Sequence, residues 1–568
     1  MKLLLPTVSL ILLVAGVTSF QPFRTTPANL PDLSAIAMCG TVTGGEAGLS
    51  DGGRYIAALP GWGHHSYPVA TESDSSQFFF DQGLSLYYGY HFKEAVASFR
   101  ESARFDPDNA MAYWGQALAM GPYYNSAHLY TKPAGIGEVL VKMNRKAVKS
   151  PANEVRLVAA MNKRYSEDPA DRDRAALNAA YAEAMKSLAD MDDEAKILYV
   201  DAVMLMHPWD FWDPDGTAKP WTPGLIGYTT DVLRNNPQHP AALHYYIHLT
   251  EASRRPEVAL ESAHTLKDLM PGVPHMVHMA SHGYERNGLY PQGVAVNIKA
   301  DSNLAVYDRH AKHLGLNTAS SHYFAVQTYC AFSGGMYDEA IRYAGMTRKS
   351  VAPSPVNTYD QYLYMLPVMA RVRLGKWNEI LGDTAPVPAD WAYAGLLSHF
   401  ARGLASAYTG DIPGAAAHLG HLREKLSDPT LKARRIPFNS TEQTGKIAEA
   451  LLEGIVLYAR QKPGEALEAM EKAVQLEDRL IHTEPKDWPV PSRQFLGAYL
   501  LRESRHDRAA DVYRADLAKN PGNGWSLTGL QQSLEAARRR SEAAALAPRI
   551  QTAFSGAGAT PPGSVYME

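Results

Sequence analysis

From about Ser76 to about Arg549, apolar residues recur three and four positions apart, and alanine, leucine, glutamate and arginine dominate the stretch. That spacing matches the 3.6-residue turn of an α-helix, so one face of each helix reads apolar. No strand-like alternation persists beyond a few residues, and the expected fold class is all-α. The main interruption runs from His207 to Gly224 (HPWDFWDPDGTAKPWTPG), where four prolines and two glycines forbid a regular helix. A loop of this composition either folds its own tryptophans onto the helices or walls a binding groove. Trp221 reads as packing, whereas Trp209 and Asp210 are candidate substrate contacts.

The helices repeat. Gly83, Ala95, Phe99 and Pro107 follow the tetratricopeptide spacing: a glycine, a small residue twelve on, an aromatic four further, and a proline closing the second helix. Gly497, Ala509, Tyr513 and Pro521 follow it again, and Ile247, Ala259, Ala263 and Pro271 follow it with substitutions. Small residues let two antiparallel helices touch, and each pair buries its open face on the next. The spacing predicts a tetratricopeptide-like solenoid over residues 76–549, wound as a right-handed superhelix. Gly403 and Gly454 stand 51 residues apart rather than 34, so insertions are expected.

The ends read differently. Residues 1–19 (MKLLLPTVSLILLVAGVTS) place one lysine before an apolar run, with short residues up to Ser19, which is signal-peptide grammar. The run is short for a bilayer span and contains Pro6, so no stable span is expected in the mature chain. The expected destination is the secretory pathway, extracellular or periplasmic. Phe20 and Pro22 beyond the cleavage point resemble bipartite plastid leaders, which gives the alternative destination. Residues 20–75 read as a glycine-rich irregular segment and 550–568 as a flexible tail.

Net charge narrows the partners. A formal charge of −4 over 568 residues offers no basic field for nucleic acid or an anionic membrane. The two cysteines, Cys39 and Cys330, make one bridge at most, and Cys330 sits in an apolar helical stretch as a core residue would. The chain contains no phosphate-binding glycine loop, GxSxG elbow or HExxH motif.

Histidine changes the picture. Seven of the chain's 20 histidines fall between His239 and His282. Pro240, His244 and His248 are matched, 34 residues on, by Pro274, His278 and His282. Proline suits the first turn of a helix, so each histidine pair should lie one turn apart on one face of a helix that starts at its proline. Glu251 adds the next turn, and the three side chains of the first helix span an arc of about 60°. Equal offsets set both pairs at the same height on helices of adjacent units, about 8–10 Å apart. Two pairs facing across that gap can converge on a metal ion. Imidazoles with a carboxylate suit iron, and three or four imidazoles suit zinc or copper. His244, His248, His275, His278 and His282 are therefore candidate ligands, with Glu251 a ligand or general base. Histidines also line peptide grooves without metal, so a non-catalytic scaffold binding a peptide, and a metal carrier or sensor, stand as rival readings.

HYYIHLTEAS (244–253) followed by HMVHMASHGYERNGLY (275–290) resembles a mostly bacterial family of leader-bearing tetratricopeptide proteins of unassigned activity. That family reads HYYIHxxEAS, then HLVHMPSHIYxRxGxY. The likeness extends to FFDQGLSLYYGYHF, HPWDFWDPDG and VYRADLAKNPGNGWSLTGL, and so covers most of residues 76–545. It implies one site containing His244, His248, Glu251, His275, His278, His282, Tyr284 and Arg286. Tyr284 and Arg286 would orient a small-molecule substrate, Arg286 by holding a carboxylate or phosphate or else by pairing with Glu251. Ala280 and Gly283 depart from the pattern. Where the family has HNxHF, this chain keeps one histidine, His322, a further candidate substrate contact. Trp114 and Asn125, in and beside AMGPYYN (119–125), are candidates to close the groove.

Overall fold

The computed structural model describes residues 48–125, 130–168 and 171–567. The expected leader, residues 1–19, and Cys39 lie outside them. The described chain is an all-α solenoid of antiparallel helical hairpins in which consecutive helices pack on one another. Its first hairpin joins Asp74–Tyr88 to Phe92–Phe105, and Ala110–Ala119 packs on the second helix. Among the described residues the strands are two-residue pieces, Arg435–Ile436 antiparallel to Asn439–Ser440.

The repeat spacing has a physical basis. The Phe99 ring lies between Gly83 and Gly115. A Cβ at Gly83 would sit 2.8 Å from that ring, and one at Gly115 closer still. Tyr513 occupies the same position between Gly497 and Gly529 near the other end. In both hairpins a side chain on the glycine would push the helices apart.

Both flanking segments are tied down. Residues 48–73 carry no helix, yet the Leu59 N–H donates to Gln82 at 2.8 Å and the Ala70 N–H to Glu154 at 2.6 Å. Gly61, at φ +68°, lies against the Gly272 backbone, which leaves no room for a side chain. At the other end, residues read from sequence as a flexible tail fold back. Phe554 and Ser564 are buried, Tyr513 and Ser564 share a hydrogen bond of 2.7 Å, and Tyr566 meets Trp525 edge-on. The apolar residues of the tail find a hydrophobic surface on the last hairpins, which its glycines and prolines concealed.

The solenoid also curls on itself. The Trp525 indole N–H donates to the Ser333 carbonyl at 2.9 Å, and Arg286 donates to the Lys519 carbonyl at 2.7 Å. The linker between helices Pro463–Glu477 and Ser492–Arg502 is thereby carried over the histidine-bearing helices. Among the described residues, no helix is long and apolar enough to cross a membrane.

Candidate metal centre

Three helical runs deliver six histidines. Helix Pro240–Glu251 begins at its proline, as the sequence predicts, and bears His244, His248 and Glu251. Helix Pro274–His278 runs on through Met279 into Ala280–Arg286 and bears His275, His278 and His282. Helix Ser321–Ser333, capped by the Ser320 hydroxyl, brings His322 near its start. All six imidazoles are buried.

One histidine of each pair, His248 and His282, gathers with Glu251 within 4.8 Å, but the four histidines do not share one point. They divide into two triads, His244–His248–His275 and His278–His282–His322, and within each triad the candidate ligand atoms lie within 4.8 Å of one another. His244 Nε2 is 3.1 Å from His275 Nε2. His278 Nε2 is 3.0 Å from His282 Nε2 and 3.1 Å from His322 Nε2. The split follows from helix pitch: His275 sits one turn before His278 and so reaches back to the first pair, leaving His278 and His282 for His322.

The outer nitrogens fix the protonation of the inner ones. His244 Nδ1 donates to the Tyr88 carbonyl at 2.7 Å, so its Nε2 presents a lone pair. His278 Nδ1 lies 2.5 Å from Asn297 Oδ1. The Asn297 amide donates to the Gly293 carbonyl at 2.8 Å, which fixes its oxygen toward the imidazole. His282 Nδ1 lies 2.6 Å from Glu251 Oε2 and also touches Glu484. His278 and His282 thus turn lone pairs toward each other at 3.0 Å, with His322 Nε2 aimed at His278 beside them. A single extra proton can bridge one such contact but not a three-way convergence. A cation held by three nitrogens resolves it, and the backing acceptors are those that orient metal-bound imidazoles. The donor set of the second triad therefore fits a metal ion, and the first gathers its three imidazoles at ligand distance.

Charge points the same way. Burial, then the neighbouring histidines, holds the His244, His275 and His278 imidazoles well below their ordinary pKa. His322 is pushed down to about 3, by burial first and then by His282. They stay neutral, the form that ligates. Glu251 links the triads, with one oxygen 3.1 Å from His248 Nδ1 and the other on His282. Burial favours the neutral form of Glu251 and Glu484, yet the adjoining histidines keep both carboxyls below the usual range. Among the described residues neither carboxylate pairs with a lysine or arginine. Each buried carboxylate is faced by imidazoles, Glu251 by His248 and His282, and Glu484 by His282 and His482.

Aromatic rings seal the site. Tyr90, held at φ +58° in the turn of the first hairpin, packs 4.7 Å from His244 and 5.0 Å from His275 between ring centres. Tyr124 and Trp209 stack on each other and both meet His248. Tyr323 stacks on His278 at 4.6 Å.

The remaining sequence candidates scatter. His322, expected as a substrate contact, stands inside the second triad. Arg286 does not pair with Glu251. It donates to the Ser253 and Lys519 carbonyls and to Asn520, at the edge of a cavity that Asp210 and Trp209 also line. Asp210 is exposed and bridges to Lys219 at 3.3 Å. Tyr284 turns its ring to His264, 5.3 Å away. Trp114 is buried in helix Ala110–Ala119, and Asn125 is buried shortly after it. Trp221 packs face to face on His207. Sequence reasoning missed the Tyr88 carbonyl, Tyr90, Tyr124, Asn297 and Glu484. Tyr88, Tyr90 and Tyr124 lie in segments the family likeness includes, but nothing local marks Glu484.

No protein-family model and no curated protein sequence matches the chain. Among solved structures it is similar to the human IFIT1 dimer with m7Gppp-AAAA, at 10% identity over 85% of this chain and 90% of that one, with a TM-score of 0.30. It is also similar to the APC/C hetero-tetramer Cut9-Hcn1, at 13% identity over 84% and 76%, TM-score 0.29. Yeast Tom70 matches at 11% identity over 84% and 96%, TM-score 0.29. These likenesses concern the helical-repeat fold alone.

Proposed function

We propose that the chain is a metalloprotein whose centre holds two ions, one per histidine triad, and that it carries out metal-dependent chemistry on a small molecule. The observation that carries this reading is the convergence of His278, His282 and His322 through inner nitrogens, the first two with their outer nitrogens already committed to acceptors. Three imidazoles per ion suit zinc or copper and leave a coordination position open. Iron held by two histidines and a carboxylate suits the arrangement less, because Glu251 stands behind His248 and His282 on their outer nitrogens. An ion there would supply Lewis-acid or redox chemistry at the open position. Glu251 would orient an imidazole of each triad, so that loss of one carboxylate disturbs both. We further propose that the leader at 1–19 sends this centre to the secretory pathway, with a plastid as the alternative.

The test is elemental analysis of the untagged chain, as purified and after reconstitution with zinc or copper. The expected result is close to two ions per chain, falling to about one in His278→Ala and about one in His244→Ala. Absence of metal in the reconstituted wild type would favour the peptide-binding scaffold instead.

A further inference from the structure

A cavity of about 300 Å³ lies beside the centre, at the small end of ligand-site volumes. Trp209 forms part of its wall and meets His248 edge-on, so one side chain touches both the cavity and the first triad. Ala252 and Ser253 follow Glu251 directly, and Thr483 precedes Glu484, so the same two chain segments serve both places.

The lining mixes carboxylates with lysines and arginines, yet some of its donors lack a partner. Trp209 Nε1, Trp488 Nε1 and Arg286 Nε are buried donors without a hydrogen-bond partner, and all three residues line this cavity. Such groups are costly unless something accepts from them. Cationic groups lie close together at one end. Arg254 feels Arg286 and Arg493, and Lys519 feels Arg254. Of the carboxylates near them, Asp478 is committed to Arg493 and Lys519, and Glu477 and Asp516 act on Arg493. Arg254 donates to the Pro214 carbonyl, and Arg286 to two carbonyls and an amide oxygen, so neither guanidinium is neutralised by a carboxylate. Burial pushes the carboxyl of Asp487, which also lines the cavity, up to about 8.

We propose that this cavity binds a small organic oxyanion, its charged group held by Arg254 and Arg286 and its apolar part lying among Trp209, Trp212 and Trp488. A planar guanidinium matches a carboxylate or phosphate edge through two parallel hydrogen bonds. As the substrate class of the metal centre, the assignment rests on the metal reading above. As an anion site it stands without metal, because none of its groups is a candidate ligand.

The experiment is calorimetric titration of the full-length, chelator-treated chain with benzoate and, separately, inorganic phosphate. Saturable one-to-one binding of either is expected, weakened at least tenfold in Arg254→Gln and Arg286→Gln. Preference for benzoate would identify a carboxylate ligand, and preference for phosphate a phosphoryl one. Arg539→Gln, which alters a surface pair elsewhere, should bind like wild type. If Arg286→Gln fails to fold, Arg254→Gln carries the test, since its side chain makes fewer structural bonds. Absence of saturable binding to both probes, or equal binding by folded wild type and Arg254→Gln, would overturn the proposal while leaving the metal analysis untouched.

Discussion

Two histidine groups meet on opposite sides of Tyr88. The Tyr88 carbonyl receives His244 of the first triad, and its hydroxyl donates to Glu194, which is in contact with His65 and His239. By distance alone, His65, Glu194 and His239 gather closely enough to hold an ion, just as the triads do. Their proton arrangements differ. His239 Nδ1 accepts from the Ala242 N–H at 3.4 Å as the cap of its helix, so its proton lies on Nε2 and is donated to Glu194. His65 Nε2 faces Glu194 at 3.1 Å. Burial raises the Glu194 pKa, but the two histidines outweigh it and hold that carboxyl well below its usual range. In this cluster the inward nitrogens face a carboxylate, and the charge is balanced in place. In the second triad, the inward lone pairs of His278 and His282 face each other instead. Proximity of ligand atoms is therefore a weak criterion, and the partner of the second ring nitrogen distinguishes the clusters.

The comparison breaks most sharply at His278, whose Nε2 contacts both other members of its triad. His278→Ala should weaken metal binding at that triad by more than the ~100-fold that loss of an orienting partner alone costs. Competition with a chromophoric chelator measures this. Glu251→Ala removes an acceptor from one histidine of each triad, and an orienting partner of this kind is worth about 10–100-fold in affinity. Both ions should weaken in the same titration, which separates Glu251 from an ordinary ligand. His239→Ala should leave metal content unchanged while destabilising the fold by about 3 kcal/mol, through a broken buried pair and a lost cap. Urea melts of the metal-free chain report it, and any loss of metal would erase the distinction between the two groups.

The smallest effect concerns pH. Burial lowers the His65 pKa, but the Glu194 charge and hydrogen bond more than compensate, and the net shift is upward from 6.5. The stabilisation from His65 is thus fully present below about pH 6.5 and lost as pH rises through the higher folded value. His65→Gln should melt lower than wild type in acid, with the gap narrowing toward alkaline pH. A gap that widens with pH would contradict the ion pair.

Much of this was legible along the chain. Helix starts at Pro240 and Pro274, and the shared face of His244, His248 and Glu251, follow from local period. The repeat glycines follow from spacing, because the ring of Phe99 or Tyr513 needs the room. The division into triads was not legible. It depends on His275 reaching back one turn and on His322 arriving from another hairpin, which no periodicity within one helix encodes. Tyr88 lies 156 residues from His244, and Glu484 arrives on a linker positioned by the curl of the whole solenoid. The same long-range closure brings Lys519 and Asn520 to Arg286, which from spacing alone was as well suited to Glu251. The tail was misjudged because its glycines and prolines outweighed Phe554 and Tyr566 in the reading, whereas in the fold those two rings decide where it lies.

The central claim is tested most directly by anomalous X-ray diffraction from crystals of the zinc- or copper-reconstituted chain, recorded above and below the metal edge. The account predicts two peaks, one among the nitrogens of His244, His248 and His275 and the other among those of His278, His282 and His322, with none at His65, Glu194 and His239. A single peak shared by both pairs, or no peak at either triad with metal in excess, would contradict it.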